Sequence, residues 1–219
     1  MISIKICGLT NLDDARWAME EGADYLGFVL YPKSPRCVTA SGLSRIVASL
    51  PDTARRIGVF VNESPALVRK VAGDCGLTAV QLHGDEDDND YRGFGLPVWR
   101  AVRLEDEAWV PEPARWRAER YVIDAFSSEY GGTGLTADWD KAEIFAARYR
   151  SMLAGGLHSG NVAEAIRRVS PLGVDVSSGV ESAPGKKDHK KITAFIRTVR
   201  DAEEGCLTGS RDDTKGKVI

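Results

Sequence analysis

Four side chains that could transfer protons or hold a polar substrate stand at the ends of short apolar runs. They are a thiol, an imidazole and two carboxyl groups: Cys7, His83, Asp124 and Asp175. The runs before them are rich in branched aliphatic residues, which favour buried β-strands. A carboxyl group at the end of a buried strand loses hydration, and desolvation favours its neutral, protonated form. General acid–base chemistry is therefore the first function that these residues suggest.

Eight apolar runs alternate with capped, amphipathic segments along the chain. We predict strands at 2–7, 25–30, 56–61, 79–84, 98–103, 121–123, 151–157 and 173–179. Helices are predicted between them, opened by Asn11, Ser64 and Asn161, although the segment after the fifth strand has a weak helical pattern. Eight strand–helix units in series predict a single (β/α)8 TIM barrel with its active site at the C-terminal ends of the strands. An open doubly wound sheet is the alternative, but it usually has fewer units.

Composition limits the classes of function. The barrel is expected to span residues 1–204, and residues 205–219 have the polar, glycine-rich composition of a disordered tail. A net charge of −3 argues against nucleic-acid binding, and neither a membrane span nor an export signal is visible. Four cysteines without a CxxC motif suggest reduced thiols in the cytoplasm. Three well-separated histidines form no metal-ligand motif, so no metal site is predicted.

Alternation along the strands predicts which side chains point into the barrel. With Ile4 and Ile6 facing the helices, four strands each direct two residues inward, and at least one of each two is polar: Lys5 and Cys7, Gln81 and His83, Val122 and Asp124, Asp175 and Ser177. A purely structural interior would hold aliphatic residues at these positions. Polar groups at the C-terminal ends of four strands therefore indicate an active site.

Two glycine-containing loops after neighbouring strands suggest a phosphate site. Gly155 and Gly156 follow the seventh strand, and Ser178 and Gly179 follow the eighth. Backbone N–H groups at this place in a barrel commonly bind phosphate, although both loops could also be plain tight turns. Residues 179–182 are expected to form the short helix of such a site. The glycines of residues 131–134 after Asp124 predict a loop that closes over the site.

Seven motifs make the chain resemble the phosphoribosylanthranilate isomerase family of the tryptophan pathway. They are KICGLT at 5–10, GFVLYPKSPR at 27–36, GVFVNE at 58–63, VQLHGDE at 80–86, IDAFSSEYGGTG at 123–134, LAGGL at 153–157 and GVDVSSGVE at 173–181. They occur in the family order over nearly the whole chain. Residues 158–160 and the C-terminal tail depart from the family pattern, and neither includes a catalytic position.

The resemblance implies an Amadori rearrangement of N-(5-phosphoribosyl)anthranilate. It makes Asp124 the acid that opens the sugar ring and Cys7 the base that removes the C2 proton. Arg36 would hold the anthranilate carboxylate, with His83 and Asp175 as further substrate contacts. The iminium nitrogen of the intermediate accepts the electrons, so no metal, flavin or nicotinamide cofactor is implied. We expect a monomer rather than a dimer, with this small molecule as its partner.

Structural roles are open for the same residues. Cys7 could be a small buried hydrophobe, His83 a core histidine and Arg36 a solvated loop charge. Lys5 could either stabilise the Cys7 thiolate or pair with Asp175.

Two other functions are also open. One is the related sugar isomerase of histidine biosynthesis, or a form acting on both substrates, which generally has Asp where this chain has Cys7. The other is a non-catalytic phosphosugar-binding barrel, which would be expected to lose the acid or the base.

Overall fold

The computed structural model describes residues 1–105, 107–124 and 138–209. At its centre eight parallel strands form a closed ring, which confirms the predicted (β/α)8 TIM barrel. Each strand pairs with the next along the chain, and the eighth pairs with the first. The strands are β1 (Ser3–Ile6), β2 (Tyr25–Val29), β3 (Arg56–Phe60), β4 (Ala79–Leu82), β5 (Val98–Glu105), β6 (Arg120–Ile123), β7 (Ser151–Leu153) and β8 (Gly173–Val176).

Helices surround the ring, but the fifth strand is not followed by one. The helices are α1 (Leu12–Glu20), α2 (Ala40–Val47), α3 (Pro65–Asp74), α4 (Asp88–Tyr91), α5 (Trp139–Ala146), α6 (Val162–Val169) and α7 (His189–Gly209). After β5, a short strand at Ala108–Val110 folds back antiparallel onto it, and a 3-10 turn follows at Pro113–Arg115. The prolines there cannot supply the N–H groups that a helix interior needs.

The predicted helix starts are correct at α1 and α3. The Asn11 side chain accepts a hydrogen bond from the N–H of Asp14, and the Ser64 hydroxyl accepts one from Leu67. At the other end of the chain, α7 continues to Gly209 rather than ending at Glu204. Residues 210–219, which hold most of the predicted tail, lie outside the described residues.

Two apolar clusters lie on the two faces of the ring. The outer cluster joins strands to helices and includes Ile4 and Ile6, both fully buried. The inner cluster fills the barrel and contains Tyr25, Ile57, Ala79, Trp99, Ala101, Val122, Met152 and Ala154. This division confirms the predicted alternation for β1 and β6. Among the described helices, none is long and apolar enough to cross a membrane.

Candidate active site

The thiol of Cys7 stands at the end of β1 next to a buried ion pair. Lys5, two residues earlier on the same face, is fully buried, and its Nζ lies 2.7 Å from Oδ2 of Asp175. The two residues face each other because β1 and β8 pair in register. The positive charge of Lys5 also acts on the Cys7 thiol, whose pKa it lowers. Lys5 therefore has both of the roles that the sequence left as alternatives.

Space for the thiol depends on Gly27 in β2. A Cβ atom at that position would lie 2.9 Å from Cys7 Sγ and 3.1 Å from Lys5 Cε. Any side chain larger than hydrogen would displace either the thiol or the ammonium group. The absence of a side chain on Gly27 thus leaves the space that the side chains of Lys5 and Cys7 occupy.

Burial and charge act in opposite directions on the Cys7 thiol. A small part of the residue faces solvent, but enclosure of the thiol raises its pKa above the ordinary value, and the positive charge of Lys5 lowers it only partly. Burial would also lower the pKa of Lys5, but the attraction of Asp175 and then of Cys7 raises it instead. The ligand-free site therefore holds a neutral thiol beside a charged ammonium group.

Asp124 stands after β6 and pairs with His83 after β4. His83 Nε2 lies 3.1 Å from Asp124 Oδ2, and both side chains are mostly buried. On the other side of the ring, His83 Nδ1 lies 3.2 Å from the amide nitrogen of Gln81. An amide nitrogen can only donate, so Nδ1 accepts and Nε2 carries the hydrogen that it donates to the carboxylate. Gln81 and His83 thus hold one oxygen of Asp124.

A second buried network holds the loop that carries His83. The guanidinium of Arg100 donates to the backbone carbonyls of Leu82 and Gly84, at 2.8 and 2.6 Å, and to the carboxylate of Glu86 at 3.0 Å. Glu86 also accepts from the N–H of Gly84 at 2.9 Å. The position of His83 is therefore fixed on its loop side by hydrogen bonds that the sequence analysis did not predict.

Arg36 belongs to a buried network of three charges. Its Nε and Nη2 donate to the two carboxylate oxygens of Glu181, at 2.8 and 2.7 Å. The ammonium group of Lys187 lies 2.9 Å from Glu181 Oε1. Arg36 is thus not the solvated loop charge that the sequence left open. The sequence analysis missed Glu181 and Lys187, although the Pro184–Gly185 dipeptide between them is a turn signal that would have predicted a hairpin.

The two predicted phosphate loops lie against each other. Gly155 and Gly156 have φ values of 82° and 64°, a conformation that strongly favours glycine. A Cβ atom on Gly179 would lie only 1.8 Å from the carbonyl oxygen of Leu157. Residues 178–180 form one 3-10 turn in place of the predicted helix, and a short strand, Glu181–Ala183, follows it.

Free donors in these loops face no acceptor in the described part of the chain. No described residue accepts a hydrogen bond from the backbone N–H groups of Gly155, Gly156, Ser178 or Gly179. The side chain of Asn161 does not cap α6 as predicted. Instead it accepts from the N–H of His158 and donates to the carbonyl of Gly156, which fixes the first loop.

A thiol and a carboxyl group stand at the ends of two non-adjacent strands, with β7 and β8 between them in the ring. Cys7 follows β1 and Asp124 follows β6, so a small substrate between them could meet a base from one strand end and an acid from the other. In the described ranges no group of three His, Cys, Asp or Glu side chains could hold a metal ion. The predicted closing loop with its glycines lies outside the described residues, so it stays a prediction.

Comparison with known proteins gives one family. The family model of N-(5'-phosphoribosyl)anthranilate (PRA) isomerase matches residues 4–198. An N-(5'-phosphoribosyl)anthranilate isomerase of Pelobacter propionicus is 48% identical over 202 residues, which cover 92% of this chain and 97% of the relative.

Two solved structures agree with this result. One is a crystal structure of monomers of the dimeric isomerase from Thermotoga maritima, with a TM-score of 0.80 and 41% identity over 92% of this chain and 100% of that one. The other is an isomerase of this name in complex with reduced 1-(o-carboxyphenylamino)-1-deoxyribulose 5-phosphate, with a TM-score of 0.80, 40% identity and the same coverage.

Proposed function

Because the chain belongs to the family of N-(5'-phosphoribosyl)anthranilate isomerases, we propose that Cys7 and Asp124 are the base and the acid of its reaction. The enzyme isomerises phosphoribosylanthranilate in tryptophan biosynthesis. The relatives therefore favour this function over the histidine-pathway isomerase and the non-catalytic barrel. One observation supports the assignment most: two proton-transfer groups follow different strands at the barrel mouth, Cys7 beside the buried Lys5–Asp175 pair and Asp124 paired with His83.

The reaction needs two proton transfers. Protonation of the furanose oxygen opens the ring and leaves an iminium ion, which then accepts the electrons released when the C2 proton is removed. Loss of the C2 proton turns the iminium ion into an enamine that is also an enol. This enol tautomerises to the ketone product. Asp124 gives the first proton in this scheme, and Cys7 takes the second.

Each group is suited to its role by its neighbours. Lys5 places a positive charge beside the Cys7 thiol, which favours the thiolate when the proton leaves. The bond from His83 holds one oxygen of Asp124 and so fixes the position of the carboxyl group at the barrel mouth. His83 is thus proposed to orient the acid as well as to contact the substrate.

The remaining predicted residues bind the substrate. Asp175 Oδ1 is buried and has no hydrogen-bond partner among the described residues, so it is proposed to accept a bond from a ribose hydroxyl. The free N–H groups of the two glycine loops, Gly155–Gly156 and Ser178–Gly179, are proposed to bind the phosphate. Arg36 is proposed to bind the anthranilate carboxylate. The three described thiols, Cys7, Cys37 and Cys75, are unpaired, which suits the reducing cytoplasm as the proposed location.

Two substitutions test the acid and the base. Cys7→Ser and Asp124→Asn should each fold normally and lower kcat by roughly 10²–10⁴-fold, the usual contribution of a proton-transfer group. Turnover is measured by the change in fluorescence of the substrate. The affinity for reduced 1-(o-carboxyphenylamino)-1-deoxyribulose 5-phosphate shows whether the binding site is intact. Near-normal turnover in either variant would assign that proton transfer to another residue.

A further inference from the structure

A hairpin after the eighth strand brings two opposite charges into the barrel mouth. It pairs the strand Glu181–Ala183 with Lys186–Lys187, and Glu181 faces Lys187 across it. Both side chains are buried, with exposed fractions of 5% and 0%. Lys186, in contrast, points to solvent. A fully buried lysine beside an active site needs a reason, because the charge loses its hydration there.

Lys187 has the surroundings of a protonated amine. Its Nζ lies 2.9 Å from Glu181 Oε1, 3.1 Å from the carbonyl oxygen of Ser177 and 3.5 Å from the Ser177 hydroxyl. An ammonium group has three hydrogens and no acceptor, so three oxygens around it match the charged form. Burial lowers the pKa of Lys187, and the carboxylate of Glu181 opposes that change.

Glu181 determines which edge of Arg36 is free. It occupies the edge formed by Nε and Nη2. No described residue accepts a hydrogen bond from Nη1 of Arg36, so the edge formed by Nη1 and the second hydrogen of Nη2 stays available. A carboxylate can bind that edge with two parallel hydrogen bonds.

Charge balance gives Lys187 its role. Arg36 and Glu181 alone would be a neutral pair, which attracts a carboxylate weakly. Lys187 adds one positive charge, so the three residues carry a net charge of +1, which one carboxylate neutralises. We propose that Lys187 is a positioning residue that makes the site select substrates with a carboxylate on the aromatic ring. The inference rests on the proposed contact of Arg36 with that carboxylate.

The test compares two ligands that differ by one carboxylate. The first is reduced 1-(o-carboxyphenylamino)-1-deoxyribulose 5-phosphate, and the second is the same compound without the ring carboxylate. Titration calorimetry on the full chain gives the ratio of their affinities. Lys187→Met should lower the preference for the first ligand by roughly ten-fold, the scale of one nearby charge in a partly buried site, and should leave the second ligand unaffected.

Two further variants separate the possible results. Lys186→Met removes the exposed neighbouring lysine and should change neither affinity. Arg36→Met should abolish the carboxylate preference; if it does not, the proposed role of Arg36 fails. If Arg36→Met abolishes the preference but Lys187→Met keeps it, the role of Lys187 is overturned. Equal weakening of both ligands by Lys187→Met would also overturn it, since that is the result of a purely structural lysine.

A charge-balanced double variant gives an independent readout. Glu181→Gln with Lys187→Met leaves Arg36 as the one charge of the three and restores the net charge of +1. It should recover most of the carboxylate preference that Lys187→Met loses. The double variant contains no unpaired buried acid or lysine. It therefore still tests whether net charge sets the carboxylate preference if Lys187→Met alone folds poorly. A double variant that folds and binds the second ligand normally, but stays without the preference, would contradict the charge argument.

Discussion

At the scale of single residues, the site is defined by where its protons are. Burial raises the pKa of Cys7, so the ligand-free enzyme holds a neutral thiol at neutral pH. The proposed reaction needs a thiolate and a protonated Asp124. A thiol with a carboxylate contains the same number of protons as a thiolate with a carboxylic acid. Moving from one form to the other therefore requires no net uptake or release of protons.

This equality predicts the pH dependence of the reaction. We expect kcat/KM to be flat from pH 7 up to the ionisation of Cys7, because the free enzyme already contains the proton that the reaction needs. Since burial raises the thiol pKa from its ordinary value of 9.0, the decline should begin above pH 9. Above that pH the free enzyme holds both a thiolate and a carboxylate, so it lacks the proton that Asp124 must give. Stopped-flow or steady-state measurements at low substrate concentration give this profile.

A different profile would identify a different mechanism. If kcat/KM rose ten-fold per pH unit between pH 7 and 9, the reaction would need a thiolate without an accompanying acidic proton. Cys75→Ser is the matched control, because Cys75 is a free thiol at the end of α3 that contacts Ser44 and the carbonyl of Ala40, and it should leave the profile unchanged.

Residue alternation made much of the site predictable, but not all of it. The inward positions of Lys5 and Val122 follow from the two-residue period of a strand. The network of Arg36, Glu181 and Lys187 does not, because its members are separated by as many as 151 residues and meet only when the hairpin folds over the barrel mouth. A short-range sequence pattern cannot predict a contact between residues so far apart in the chain.

At the scale of elements, the loops after β7 and β8 act together. Gly179 lets the two loops touch, since a Cβ atom there would lie 1.8 Å from Leu157 O. Because that oxygen belongs to the backbone, it cannot turn away as a flexible side chain could. The spacing of the proposed phosphate donors therefore depends on residue 179 having no side chain.

Gly179→Ala should move the loops apart. We expect a loss of about 1–3 kcal/mol in the free energy of unfolding, as for an added methyl group in a packed region, together with a clear rise in KM. The control is Gly73→Ala on the exposed side of α3, where an added Cβ meets no atom within 4 Å. That change should stabilise by up to about 1 kcal/mol without affecting KM. Lower stability of Gly179→Ala with an unchanged KM would show that these loops do not bind the phosphate.

The type of element was predictable from the sequence wherever a segment has one clear hydrophobic pattern, of a strand or of a helix. The eight strands stand out because short aliphatic runs alternate with helical patterns, and the caps at Asn11 and Ser64 follow directly from local chemistry. After β5 the pattern was weak, and the chain forms an antiparallel strand there. Asn161 was predicted as a cap because residue type alone cannot show that a preceding glycine loop competes for its side chain.

At the scale of the whole molecule, the exposed apolar side chains are scattered. Apart from Met1, the large exposed hydrophobic residues of the described chain are Trp17 on α1, Leu67 on α3, Ile144 on α5 and Leu172 before β8. They lie on four different segments, and Trp17 already stacks on His189. A stable dimer usually buries about 800 Å² on each partner around an apolar centre. The described surface has no such concentration of apolar side chains.

We therefore expect a monomer, in contrast to the dimeric isomerase of Thermotoga maritima. Light scattering coupled to size exclusion should give a mass near 23.8 kDa from about 1 to about 100 μM protein, a range in which interfaces of standard size would already pair. Leu67→Glu and Ile144→Glu should each leave mass and turnover unchanged, because neither side chain is covered. A mass that doubles with concentration would contradict the prediction, and loss of that doubling in one of the two variants would identify the helix at the interface.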